Sequence, residues 1–268
     1  MKFARSPSLL CALGRTGFLL ASYIVSGCNQ QANRPITPVI QPEIVASVPH
    51  DTNAFTQGLL IDGDVWLEST GRYGKSELRE VDRATGDVIR RSPLADNLFG
   101  EGLALYNGTL YQLTWREGLC ILYDRDTFEM TGHFRYEGEG WGLTNCDQWL
   151  YMSNGSNQIQ VRSPETFRIM QTISVQDHAG DVDQLNELAW IDGEIWANIF
   201  QTKEIARIDV DTGKVIEYLQ FEHLPLAGDE HPQQDVFNGI AYDPADESIW
   251  VTGKKWSKLY QISWPHYE

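Results

Sequence analysis

Cysteine is scarce in this chain. There are four in 268 residues: Cys11, Cys28, Cys120 and Cys146. The first two lie in or at the end of an N-terminal basic and apolar segment. The repeat described below puts Cys120 and Cys146 at opposite ends of neighbouring units, so no disulfide is expected. Positive charge is also in short supply, with 21 Lys and Arg against 37 Asp and Glu and a formal charge of −16. Residues 1–27 hold three basic and no acidic residues, so removing them takes the charge from −16 to −19. Such a surface repels nucleic acid and anionic membrane, and no nucleic-acid partner is expected. No apolar run is long enough to span a bilayer. Metal-ligand spacing is missing too: the histidines at 50, 133, 178, 223, 231 and 266 form no zinc-like pattern with carboxylates. His178, Asp181 and Asp183 share one loop, which reads as solvated. There is no Gly-rich phosphate loop after a strand and no serine in a nucleophile elbow. Neither a metal nor a cofactor is expected.

What the N-terminus does contain is a short export signal. Lys2, Arg5 and Arg15 precede the mostly apolar stretch from Gly17 to Val25, which has the length of a signal h-region. Val25-Ser26-Gly27-Cys28 resembles a bacterial lipobox, with Cys28 as the acylated mature N-terminus; the alternative is an ordinary signal peptide with a chance cysteine. The expected division is a signal peptide over 1–27, a polar, Pro-containing flexible tether over 28–41, and one folded domain over 42–268. A monomer is expected, in the periplasm or at the cell surface, touching the membrane only through a lipid on Cys28.

The folded part is dominated by an internal repeat. Five segments align: Phe55-Thr56-Gln57-Gly58-Leu59, Phe99-Gly100-Glu101-Gly102-Leu103, Gly140-Trp141-Gly142-Leu143, Leu185-Asn186-Glu187-Leu188 and Phe237-Asn238-Gly239-Ile240. Each is followed by a turn and a second apolar run, such as Val65-Trp66-Leu67 after Asp62-Gly63-Asp64 or Ile195-Trp196-Ala197 after Asp192-Gly193. Asn-Gly and Asp-Gly between apolar runs signal hairpins because those residues tolerate positive φ. Third and fourth strands follow in each unit. The units begin 44, 40, 45 and 52 residues apart, the spacing of four-stranded propeller blades. The expected fold is therefore all-β, a five-bladed β-propeller. Its last unit has only three strands, and the spare strand Glu43 to Val48 is expected to complete it and close the ring. The acidic insertion from His223 to Asp235 reads either as a roof over one face or as an ordinary variable loop.

In a propeller the first strand of each blade lines the central channel. The variable column of the repeat therefore places Gln57, Glu101, Trp141, Asn186 and Asn238 around one end of it. The far tips of the second strands add Trp115, Phe200 and Lys254. One carboxylate, one lysine, several amides and an aromatic wall suit a small ligand with a charged or amide end and an apolar stem. The bland alternative is a channel that holds water, with its aromatics packing between blades. Trp66, Trp190, Trp196 and Trp250 lie in strand bodies and fit a core role. Glu187, which replaces a repeat glycine, reads as a structural hydrogen-bonding group.

These same stretches, with Glu68-Ser69-Thr70-Gly71, Thr114-Trp115, Trp196-Ala197-Asn198 and Val251-Thr252-Gly253-Lys254, resemble the plant and bacterial type of glutaminyl-peptide cyclotransferase over about residues 44–264. The resemblance implies a five-bladed propeller that converts an N-terminal glutamine of peptides or proteins to pyroglutamate with release of ammonia, without a metal. It implies Glu101 as proton shuttle and a substrate pocket of Phe55, Gln57, Phe99, Trp115, Trp141, Asn186 and Lys254. Phe200 stands where the family usually has Trp; the aromatic wall survives and an indole N–H is lost. Two other readings stay open on the sequence: a non-catalytic propeller that binds peptide N-termini, and a calcium-dependent propeller lactonase.

Overall fold

The computed structural model describes residues 36–222 and 236–263. The expected signal segment with Cys28, and the insertion His223 to Asp235, lie outside these residues. The described chain forms five sheets, each built on four antiparallel strands and one of them extended by a short fifth strand; in four of the sheets the four antiparallel strands are consecutive in the chain. Blade one runs Thr56–Asp62, Val65–Thr70, Glu77–Asp82 and Val88–Pro93. Blade two begins at Gly100–Tyr106, blade three at Leu143–Asn145, blade four at Leu185–Ile191 and blade five at Phe237–Asp243. These five first strands neighbour one another in ring order, with blade five beside blade one. Blade five takes three strands from the C-terminal end of the chain. Its fourth is Glu43–Pro49, paired antiparallel with Lys258–Ser263.

The ring is held by apolar layers between sheets. Five buried clusters occupy the five seams, each drawing side chains from two neighbouring blades. Trp66 and Trp250 meet edge to face at 5.4 Å across the seam between blades five and one. Trp196 is fully buried between blades four and five, and Trp190 stacks on Tyr151 at 5.2 Å. All four tryptophans therefore pack the blades, and each such side chain, once buried, contributes about 1.5–3 kcal/mol or more. Cys120 and Cys146 are free thiols.

The repeat glycines let the inner strands approach. A Cβ on Gly58 would lie 2.5 Å from the amide nitrogen of Leu103 in the next blade. In blade four the glycine is replaced by Glu187, which makes a different contact. Its carboxylate accepts the backbone N–H of Leu59 in blade one, at 2.6 Å, and that of Ile240 in blade five. One side chain thus ties three blades together at the axis.

The expected tether to residue 41 is partly docked. Val39–Ile40 adds a parallel fifth strand to Val215–Gln220 of blade four, and Pro38 accepts the N–H of Tyr218 at 2.9 Å. The N–H of Thr37 donates to Nδ1 of His178 at 3.1 Å. The cause is the open edge of blade four, whose unpaired backbone groups take up the passing chain. The His178 loop, expected to be merely solvated, is where this segment is fastened.

Candidate active site

Four of the five inner strands start with a β-bulge at the repeat motif, between Thr56 and Gly58, Gly100 and Leu103, Leu185 and Leu188, and Phe237 and Ile240. A bulge leaves one residue out of the ladder and re-aims its side chain. Here the extra residues include Gln57, Glu101, Asn186 and Asn238, the variable column of the repeat. The first three turn into a cavity of about 370 Å³ at one end of the channel. Asn238 does not border it. Its amide spans from Thr56 O at 3.1 Å to Gln57 Oε1 at 3.4 Å and supports the Gln57 side chain from behind.

The cavity is layered. Its floor holds Gln57, Glu101, Asn186 and Lys254, each no more than 5% exposed. Its walls are half-buried rings. Phe99 meets Phe55 at 6.2 Å and Trp115 at 5.5 Å, while Trp141 meets Phe200 edge to face at 5.4 Å. Glu101 and the eight expected pocket residues, Phe55, Gln57, Phe99, Trp115, Trp141, Asn186, Phe200 and Lys254, all border this one cavity; of the expected channel column only Asn238 does not. Arg72, Gln201 and Val236 border it as well and were not expected.

On the floor, Nε2 of Gln57 donates to Glu101 Oε1 at 2.9 Å. Burial pushes the Glu101 carboxyl well above its usual range; Lys254 opposes this, and the more distant Glu139 and Glu117 add to it. A carboxyl whose pKa is raised holds a proton more readily than an ordinary carboxylate, which suits a group that takes a proton and returns it. Burial also pulls the Lys254 ammonium down to about 8, against the pull of Glu101 and Glu187. Its Nζ lies 5.0 Å from the Phe55 ring centroid and 5.4 Å from that of Phe200. Two ring faces stabilise the cation without occupying its N–H donors. Among the described residues neither the Lys254 ammonium nor the Asn186 side-chain amide has a hydrogen-bond partner, so both remain available to a ligand.

Sequence reasoning also missed Glu139. Its Oε2 accepts the indole N–H of Trp115 at 2.8 Å and that of Trp141 at 3.0 Å, and its Oε1 accepts Nε of Arg116 at 2.9 Å. Burial raises this carboxyl, but the three hydrogen bonds outweigh it and hold it below the ordinary value. One carboxylate therefore fixes two walls of the cavity. The only sequence signal was its place next to the Gly140-Trp141 motif.

Among the described residues no group of three or more His, Cys, Asp or Glu side chains is arranged to hold a metal ion. The floor pairs one carboxylate with a lysine. A calcium-dependent lactonase needs several carboxylates converging there.

Comparison with known proteins agrees with this geometry. The family model described as glutamine cyclotransferase matches residues 19–264. A glutaminyl-peptide cyclotransferase of Arabidopsis thaliana is 39% identical over 224 residues, covering 82% of this chain and 70% of the relative. The crystal structure of Myxococcus xanthus glutaminyl cyclase superposes with a TM-score of 0.81 at 32% identity, over 87% of this chain and all of that one.

Proposed function

The chain belongs to the glutamine cyclotransferase family, and from that premise we propose how its cavity closes the N-terminal glutamine of a peptide to pyroglutamate. The α-amine attacks the γ-carbonyl carbon of the same residue. A C–N bond forms, the carbonyl oxygen takes negative charge, and the bond to the γ-nitrogen then breaks to release ammonia. Glu101 accepts the proton from the attacking amine and delivers it to the departing nitrogen. Such a shuttle contributes about 10²–10⁴-fold.

The observation that carries this reading is the division of labour on the floor. Gln57 already donates to Glu101 and orients it. Among the described residues Asn186 and Lys254 are the donors left free, and they stabilise the oxyanion, a contribution of about 10²-fold or more. The rings of Phe55, Phe99, Trp115, Trp141 and Phe200 hold the glutamine curled and keep out water, which favours lactam closure over hydrolysis.

The lipobox at Cys28 supports a lipid-anchored enzyme of the cell envelope, acting as a monomer on exported proteins or peptides that begin with glutamine. The test of function is incubation of the purified protein with a glutamine-initiated peptide. Ammonia release, matched by an equal loss of mass from the peptide, is expected. Tight binding without conversion would instead establish a peptide-binding propeller. Labelling of the cell-grown protein with a fatty-acid analogue, lost in Cys28→Ser, tests the anchor.

A further inference from the structure

We propose that Arg72 is a specificity residue, whose guanidinium pairs with a side-chain carboxylate on the residue that follows the substrate glutamine. This rests on the cyclotransferase reading and concerns what lies beyond the glutamine itself.

Three observations meet at Arg72. Its backbone has φ of 101°, a conformation that costs a residue with a Cβ of order 1–3 kcal/mol. The fold pins it there. Gly71 N–H donates to Phe55 O at 2.8 Å, and Arg72 O accepts Lys75 N–H at 2.9 Å and Ser76 Oγ–H at 2.8 Å. Ser76 Oγ in turn accepts the N–H of Gly100, the residue before Glu101, at 3.0 Å. The strain is thus held by the backbone that also sets the catalytic strand, and its effect is to bring this side chain to the cavity.

Second, the guanidinium is idle. Its carbon lies 4.9 Å from the centroid of the Phe55 ring, and it has no ion pair or hydrogen bond among the described residues. Arg79, Arg83, Arg90, Arg116, Arg125 and Arg207 all carry ion pairs. Arg135, Arg162 and Arg168 also lack an ion pair among the described residues, but Arg72 alone of these four borders the cavity.

Third, Arg72 borders the cavity and is half-buried, above a floor that is almost fully buried. A glutamine whose amine and amide both reach Glu101 leaves its following residue at that level. The nearby acidic groups are already engaged, Glu139 with two indoles and Arg116, and Glu117 with the hydroxyl of Tyr73 at 2.8 Å. Glu117 keeps its negative charge, since a hydroxyl does not neutralise it, and Arg72 is the cation there that holds no carboxylate among the described residues. A guanidinium fork recognises a carboxylate with two parallel N–H donors.

The test compares kcat/KM for three amidated peptides, Gln-Glu-Ala, Gln-Gln-Ala and Gln-Lys-Ala, in the native protein and in Arg72→Gln and Arg72→Lys. The native protein is expected to favour Glu over its neutral isostere by about two- to fivefold at low salt, with Lys lowest. The preference should vanish in Arg72→Gln and partly persist in Arg72→Lys. A purely structural role for Arg72 would slow all three peptides together and leave their ratios intact, which would overturn the proposal. So would a preference that follows a free chain-terminal carboxylate, seen as Gln-Ala over its amide, and not the Glu side chain. No conversion of any peptide by the native protein would overturn the cyclotransferase reading itself.

Discussion

The side-chain amide of Gln57 and the carboxylate of Glu101 meet at 2.9 Å, although they come from different blades and stand 44 positions apart in the chain. Each is the residue expelled by a bulge at the start of its inner strand. The contact joins the scaffold to the chemistry: the bulge delivers both groups to the channel, and burial then raises the carboxyl well above its ordinary value, which favours proton uptake.

A bell-shaped pH dependence of kcat/KM follows. Glu101 works as a base only when ionised, and its pKa is raised. The substrate amine must be neutral, with an ordinary value of about 7.7. Both requirements make activity climb with pH. Lys254 donates best as the ammonium and loses its proton at about 8, so activity falls above that. Lys254→Met should lower activity and abolish the alkaline limb. An unchanged limb in that variant would contradict the role given to Lys254.

Glu187 is a clasp and not a catalyst on this account. Removing its side chain leaves the N–H groups of Leu59 and Ile240 buried without acceptors. Glu187→Ala is expected to lose roughly 2–6 kcal/mol of stability, at about 1–3 kcal/mol for each orphaned group. Denaturant unfolding checks this; a loss under about 1 kcal/mol would contradict it.

The repeat made much of this legible, and each success has a local cause. Hairpin turns, alternating strands and a spacing near 45 residues are written within each unit, so the five blades could be counted. The bulge column carried Gln57, Glu101 and Asn186 because their three blades repeat the same backbone irregularity. Phe55 and Phe99 flank that column, and Trp115, Phe200 and Lys254 follow at near-constant distance. What lay outside the repeat was not legible. Glu139 has no counterpart in the other blades, and at the place of Arg72, one past the second-strand tip, three other blades carry Arg116, Gln201 and Lys255, so the repeat marks the position but not which side chain reaches the cavity. Glu139 matters because two indoles from different strands converge on it, Arg72 because a strained backbone aims it. The docking of residues 36–40 depended on an open edge of blade four, which no local pattern announces.

Glu139 gives a prediction that separates binding from chemistry. Both wall tryptophans donate to its Oε2. Glu139→Ala should free them and raise KM about tenfold, with kcat within about threefold. Glu139→Gln retains an acceptor and should recover most of the loss. A fall in kcat alone would mean that Glu139 acts on the reaction and not on the pocket wall.

The central claim is that Glu101 moves the proton, and the most direct test is the turnover of Glu101→Gln. This variant keeps the size and the hydrogen-bonding reach of the side chain. It is expected to melt within a few degrees of the native protein, bind a glutamine-initiated peptide with similar affinity, and lose about 10²–10⁴-fold in kcat. Ammonia release at a rate within a few-fold of the native protein would contradict the account.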